Sequence, residues 1–416
     1  MTASTDAGQR IAALDIVRGV AVMGILAMNI VAFAMPSQAY MNPIAYGMES
    51  SADLAAWVFS FIFVDGKMRG LFSLLFGASM LLVIERAQAA GQSAARAHFS
   101  RAGWLLVFGL LHFYLIWFGD ILVGYALIAM IAFLFRNMAP RALVIWGGAL
   151  VAVQLLVFAG FAVQAAYLRQ GATQAAPDPA TVRQWLELND QLGVLSGEKL
   201  IDKLALFLGP YGGLVRHRLL VNGAEPFTGI FIYGWETLAY MLFGMAALKT
   251  GFLKVQWRPA DYFKVAVAGL AVTVPAYVLL AWIVASDGFS VPAILAFVLA
   301  ATVPFRPLMV MAYAAAIILL TRGRGALVAR VAAAGRAAFT NYLGTSILMT
   351  SLFYGYGLGL YGSMSRIETW LVVWAMWALM LIWSKPWLDR YRYGPFEWLW
   401  RSLARWQLQP MRRPAA

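Results

Sequence analysis

Apolar stretches long enough to cross a bilayer recur about ten times along this chain, and the basic residues between them fall alternately on the two sides. Few chains are so constrained. Unbroken apolar runs of roughly twenty residues predict helices, since the strands of a membrane barrel would read as about ten residues of alternating polarity. The fold class is therefore all-α: a polytopic membrane bundle of about ten transmembrane helices.

Composition supports this class. Hydrophobic residues make up 62% of the 416 and charged residues 12%, with a mean hydropathy of +0.73, more apolar surface than one soluble core could hide. The net charge of +13 invites a nucleic-acid reading. Its placement beside apolar segments argues instead for topology and anionic lipid headgroups, so no nucleic-acid partner is expected. With no cysteine and 3 histidines, thiolate chemistry is excluded and no metal is expected. The first apolar run, from about Ile11, lacks a small-residue cleavage pattern and reads as a retained helix.

The predicted helices are 11–35, 54–85, 102–118, 121–136, 141–168, 227–248, 262–285, 291–320, 337–357 and 367–388. With the N terminus inside, the inner connections carry Arg86, Arg96 and Arg101, then Arg136 and Arg141, then Lys249, Lys254, Arg258 and Lys264, then Arg322, Arg324, Arg330 and Arg336. The short outer connections carry only Arg366, so both termini are expected in the cytoplasm of a bacterial cell, with the protein in the inner membrane. Four parts result: an N-terminal transmembrane half, 1–168; an outer amphipathic segment, 169–226; a C-terminal half, 227–392; and a cytoplasmic interfacial tail, 393–416, whose GPFEWLWR reads as an anchoring helix.

Charges at membrane depth need a partner or a wet cavity, so they mark candidate sites. In LDIVRGVAVMGILAMN, Asp15 and Arg18 share a helix face, and Asn29 lies eleven residues beyond Arg18; a helix-end ion pair with an interhelical amide bond is the plain structural alternative. The second run is interrupted by VDGKMRG, which sets Asp65, Lys67 and Arg69 beside Gly66 and Gly70 and predicts a broken helix. His112, the one histidine in a predicted span, precedes Asp120 by eight residues across a helical hairpin; a carboxylate-supported imidazole makes a general base, and an interhelical hydrogen bond is the alternative. Glu236 and Arg306, the latter between Pro304 and Pro307, read equally as a cross-bundle pair or as part of an anion pocket. Arg336 and Asn341 open the ninth helix.

Five blocks, LDIVRGVAVMGILAMN, GKMRGLFSLLFGASM, LHFYLIWFGDILVGYAL, GRAAFTNYLGTSIL with FYGYGLGLYG, and GPFEWLWR, occur in order over nearly the whole chain and strongly resemble the YeiB family of bacterial inner-membrane proteins. Proteins of this type look distantly similar to the transmembrane acyltransferases, which include sugar O-acetylases and heparan-α-glucosaminide N-acetyltransferase. In the O-acetylases an arginine of the first helix is followed eleven residues later by an essential histidine. Here the arginine matches Arg18 and the histidine position is Asn29, an amide that is no base near neutral pH. The loop PSQAYMNPIAYGMESSAD, where the heparan enzyme has its histidine, holds none, which leaves His112 as the membrane histidine that could replace it.

Two functions are thereby in competition. One is an acyltransferase passing an acyl group from a cytoplasmic thioester donor, acyl-CoA, to a small-molecule, lipid or glycan acceptor at the outer face. Arg18, Arg336 and Lys67 would hold the donor's phosphates, His112 with Asp120 would take the acceptor's proton, and Arg306 or Asn29 would steady the oxyanion. The other is a transporter or flippase whose broken helices form a mid-membrane site, with Asp65, Glu236 and His112 carrying protons. No permanently bound cofactor is expected; the bilayer is a partner and a homodimer is allowed.

Overall fold

In hydrocarbon every backbone group must be satisfied within its own segment, and the apolar runs accordingly fold as helices. The computed structural model describes residues 2–323 and 325–413, with side chains from Ala13 onward; Arg324 and positions 414–416 of the tail lie outside the described residues. In chain order the helices are α1 (Thr2–Ala34), the single turn α2 (Gln38–Met41), α3 (Ser51–Phe63), α4 (Lys67–Ala89), α5 (Ala94–Leu111) and α6 (Leu122–Ala132). Next come α7 (Pro140–Ala172), α8 (Pro179–Leu192), α9 (Gly197–Leu208), α10 (Tyr211–Leu220), α11 (Glu225–Lys249) and α12 (Pro259–Ser286). The last six are α13 (Val291–Ala293), α14 (Phe305–Leu320), α15 (Ala326–Arg336), α16 (Ala338–Phe353), α17 (Thr369–Arg390) and α18 (Pro395–Arg405). Among the described residues there is no strand.

Among the described residues seven helical segments are long and apolar enough to cross a membrane, and an eighth is the pair Val291–Ala300 and Phe305–Leu320, bent by 47°. Two of the ten predicted spans are shorter than a crossing. The 121–136 helix is an 11-residue α6 with a short extension to Phe135, and the 337–357 helix is a 16-residue α16 ending at Phe353. At 1.5 Å per residue these reach only about 17 and 24 Å. The expected break in the second run is real: α3 ends at Phe63 and α4 begins at Lys67. Gly66, between them, has φ 70°, a left-handed conformation that a side chain would strain, and a Cβ there would crowd the Arg306 side chain at 3.1 Å.

α4 and α11 form the centre of the bundle, with α1, α6, α7 and α14 around them. Their axes approach closely because glycine faces backbone in both directions. A Cβ on Gly77 would lie 2.1 Å from the Met241 carbonyl oxygen, and one on Gly244 would lie 1.8 Å from that of Leu74. Helices α8 to α10 lie across one end. There Gln38 donates to the Asp190 carbonyl, Lys203 to Ser37 and Gln38, and Tyr211 to the Leu115 carbonyl.

A valine at Gly244 therefore has to push backbone aside, so Gly244→Val is expected to cost at least the about 1–3 kcal/mol of an overpacked core and to lower the thermal unfolding temperature in detergent. Gly148→Val, where a Cβ meets no described atom within 4 Å, should leave that temperature unchanged.

Candidate functional site

The polar residues of the bundle collect around two cavities set end to end. The smaller, about 400 Å³, is basic: Arg18, Arg86, Arg101, Arg336, Arg392 and Arg401 line it, against the carboxylates of Asp15 and Glu397. Arg18 donates to Asp15 at 3.0 Å and to Ser79 at 3.0 Å, so the predicted helix-face pair forms and also reaches α4. The tail closes this cavity. Trp400 of α18 lies under the Arg101 guanidinium at 4.2 Å and donates to the Arg101 carbonyl, while Glu397 accepts from the Phe339 and Thr340 amides and the Thr340 hydroxyl. Burial raises the Glu397 carboxyl above its usual range despite these bonds, and burial likewise lowers the Arg401 guanidinium. The tail helix is thus a packed wall; of its tryptophans, Trp406 remains exposed as an anchor would be.

The larger cavity, about 600 Å³, holds Asn29, Asp65, Arg69, Asp120 and Arg306 at its polar end. Arg18 and Asn29 thus serve different cavities, because eleven residues of helix separate them by about 16 Å. Ile121 and Tyr125 at the start of α6 line both cavities and form the partition. Tyr125 is fixed there by the Ser73 hydroxyl at 2.5 Å and by donation to the Arg69 carbonyl at 3.2 Å.

The His112–Asp120 pair sits at this partition. Its imidazole Nδ1 is 2.7 Å from the Asp120 carboxylate, whose other oxygen accepts from the Val123 amide and so satisfies a free N–H at the start of α6. The chain reaches this geometry by leaving α5 through a π-helical turn, His112–Ile116, before doubling back. Asp120 lines the larger cavity, and Tyr342, whose ring centroid is 5.3 Å from that of His112, lines the smaller. The Tyr342 hydroxyl accepts from the Ile121 amide. His112 is buried behind this wall and itself lines neither cavity, and its Nε2 has no hydrogen-bond partner among the described residues.

Glu236 is fully buried between Arg69, at 2.6 Å, and Arg306, at 3.1 Å, and accepts from Tyr240 at 3.0 Å. Arg306 turns its other terminal nitrogen, Nη2, to the Leu299 carbonyl and the Thr302 hydroxyl, backbone and side chain freed where the eighth segment breaks. Glu236 and Arg306 thus form the cross-bundle pair, and Arg69 and Arg306 also line the larger cavity. Lys67 is different from its neighbours. It is fully buried, donates to the Phe61 carbonyl at 2.5 Å and lies 3.4 Å over the Tyr277 ring, so it lines neither cavity and is not placed to hold a donor. Asn341 is also internal, bonded to Ala334, Ser384 and Trp383. Sequence reasoning missed His98: α5 begins eight residues earlier than predicted, which brings this buried histidine into the span and onto the wall of the basic cavity, with its Nε2 at 3.0 Å from the Ala129 carbonyl. It missed the tail's Arg392, Arg401 and Glu397 as well, since nothing local in their sequence tells a packed helix from a floating one.

This is the architecture of a multi-pass helical membrane protein with a divided polar interior. The comparisons give the family. A family model described as a protein of unknown function, DUF418, matches residues 247–407. YxaH of Bacillus subtilis is 32% identical over 98% of this chain and 97% of its own length, and YeiB of Escherichia coli is 31% identical over 95% and 96%; both are described as uncharacterized proteins. The chain belongs to the YeiB family. No solved structure matches it.

Removing the carboxylate of Glu236 strands two cations in the bundle. Glu236→Gln is expected to destabilise the protein by about 3–5 kcal/mol in chemical unfolding, whereas Asp389→Asn, which breaks the exposed pair with Lys385, should cost no more than about 1 kcal/mol.

Proposed function

We propose that this protein is a membrane acyltransferase that moves an acyl group from a cytoplasmic thioester, acyl-CoA, to a hydroxyl or amine acceptor at the outer face of the bacterial inner membrane. The observation that carries the reading is the His112–Asp120 pair at the wall between two cavities of opposite character. If the basic connections face the cytoplasm, with both termini inside and the short α6 and α16 completing ten membrane segments, the arginine-lined cavity opens to the side where acyl-CoA is found. Six arginines against two carboxylates suit the phosphates of such a donor. The larger cavity then opens outward under residues 169–226, between an N-terminal half and a C-terminal half of the bundle. The distant similarity to transmembrane acyltransferases points the same way.

On this reading Asp120 holds the imidazole through Nδ1, and Nε2 takes the acceptor's proton as its oxygen or nitrogen attacks the thioester carbonyl. The tetrahedral intermediate collapses by breaking the carbon–sulfur bond, and the proton on Nε2 passes to the departing thiolate. The Tyr342 hydroxyl, free to donate while it accepts from Ile121, takes the oxyanion role first considered for Arg306 and Asn29, because it lies against the His112 ring while both terminal nitrogens of Arg306 are already engaged. The carrier reading draws on the same divided interior and would use His112 to carry protons, but it gives no task to a basic cavity lined by six arginines.

Calorimetry with acetyl-CoA and the detergent-solubilised protein tests the proposal. Arg18→Ala and Arg336→Ala should each weaken binding about tenfold or more, the worth of one charge-assisted contact. His112→Ala should keep the binding and lower acetyl transfer to extracted envelope lipids and glycans by roughly 10²–10⁴-fold. Absence of acetyl-CoA binding, or full transfer by His112→Ala, overturns it.

A further inference from the structure

Three arginines are buried among the described residues, and two of them have partners: Arg306 pairs with Glu236, and Arg366 donates to the Ala39 carbonyl. The third, Arg218, has none. It lies on the inner face of α10, 3% exposed, and neither terminal nitrogen reaches a carboxylate, a carbonyl or any other described acceptor. The ionisable groups that act on it most are the phenols of Tyr354, Tyr356 and Tyr211. Trp117 stands on the other side of Tyr354, and its indole nitrogen and the Tyr354 hydroxyl are likewise buried without completing a hydrogen bond among the described residues. Guanidinium and indole can only donate, and a neutral phenol oxygen does not offset a full charge. Burial accordingly holds this guanidinium below its usual value.

A buried charge with nothing to oppose it is among the most costly features a fold can hold, so donors gathered in this way call for an acceptor from outside the chain. We infer that Arg218, Trp117 and Tyr354 close around an oxyanion, a phosphate group, beneath α10. The guanidinium fork matches two phosphate oxygens in one plane, and the indole and phenol are left for a third. Such a group has two sources. Leu219, Leu220 and Val221, at the end of α10, are exposed as they are where a helix lies on lipid, which brings phospholipid headgroups to the site; free phosphate is the other source. Bound phosphate would also brace the turn that carries His112, because Tyr211 of α10 donates to the Leu115 carbonyl and Tyr114 to that of Gly223. The binding claim does not rest on the acyl-transfer reading.

The test uses the full-length protein, delipidated in dodecyl maltoside, with thermal unfolding followed by tryptophan fluorescence. Sodium phosphate is compared with sodium chloride at equal ionic strength, and phosphatidylglycerol with diacylglycerol of the same chains. The phosphate-bearing member is expected to raise the unfolding temperature by about 2 °C or more over its control. A rise in both arms means that free phosphate suffices, and a rise with phosphatidylglycerol alone makes the ligand a lipid headgroup. Arg218→Met, which keeps the stem and removes the charge, should abolish the rise; in chloride it should unfold no lower than the wild type, because it sheds an uncompensated cation. Arg336→Ala should keep the rise, which separates this site from the basic cavity. Should Arg218→Met not fold, Tyr354→Phe reads the same contact, and the ligand concentration giving half the rise should increase about tenfold. No rise in either arm, a rise that survives Arg218→Met or vanishes in Arg336→Ala, an Arg218→Met protein weakened as much in chloride as in phosphate, or an unchanged midpoint in Tyr354→Phe would overturn the inference.

Discussion

The buried carboxylate of Glu236 is the interaction on which the rest of this bundle depends. It joins three helices, two of them at places where the chain is broken: α4 begins at the Gly66 turn, and α14 follows the bend after Ala300. A break in a membrane helix exposes carbonyls that hydrocarbon cannot satisfy. Here Arg306 satisfies the Leu299 carbonyl with one nitrogen and the carboxylate with another, while the Gly66 turn leaves room for its side chain. The charges and the breaks therefore sustain each other. Without the arginine the broken backbone would be orphaned, and without the glutamate the arginines would be uncompensated charges at membrane depth.

This arrangement also decides where polarity ends. Lys67, one residue past the glycine turn, faces away from the cavity into a cage of Phe61 and Tyr277, and so the cavity receives Asp65 and Arg69 but not the third charge of the motif. The partition follows from the same region, because Tyr125 is held by Ser73 and the Arg69 carbonyl on α4. A wall two side chains thick, Ile121 and Tyr125, then separates the basic cavity from the mixed one, and the π-helical turn before it brings His112 against Asp120.

Much of this was legible in the chain. Unbroken apolar runs gave the helices, and charge beside glycine or proline in VDGKMRG and VPFRP gave both breaks, because those residue types have only a few tolerable places in a bilayer. The His112–Asp120 contact followed from a hairpin too tight to keep them apart. What could not be read was facing. A helix turns about 100° per residue, which sets Lys67 on the face opposite Asp65 and Arg69, but which of those faces meets the cavity is decided by tertiary packing. Helix length was hard to read for a related reason, since α6 and α16 are as apolar as their neighbours but are cut short by Arg136 and by the Tyr354–Gly357 turn. The tail is the hardest case: its amphipathic pattern fits a membrane surface and a groove on α5 equally well, and only tertiary contact through Trp400 and Ser100 tells them apart.

The asymmetry between the two cavities bears on what kind of machine this is. The basic cavity is built largely from helix ends and the tail, with long flexible cations that can close on a polyanion. The mixed cavity is lined by turns such as Val64–Gly66 and Trp117–Asp120 as well as by packed helices, and two of its cations, Arg69 and Arg306, are held by Glu236. An alternating carrier needs the wall between its two chambers to move. Here that wall is bonded to α4 on one side, through Ser73 and the Arg69 carbonyl, and to α16 on the other, through Tyr342, and moving it would break the hydrogen bonds that hold the imidazole's carboxylate in place. A wall held in this way suits the proposed transfer, in which ligands stay on their own sides and only a small group crosses, better than it suits alternating access.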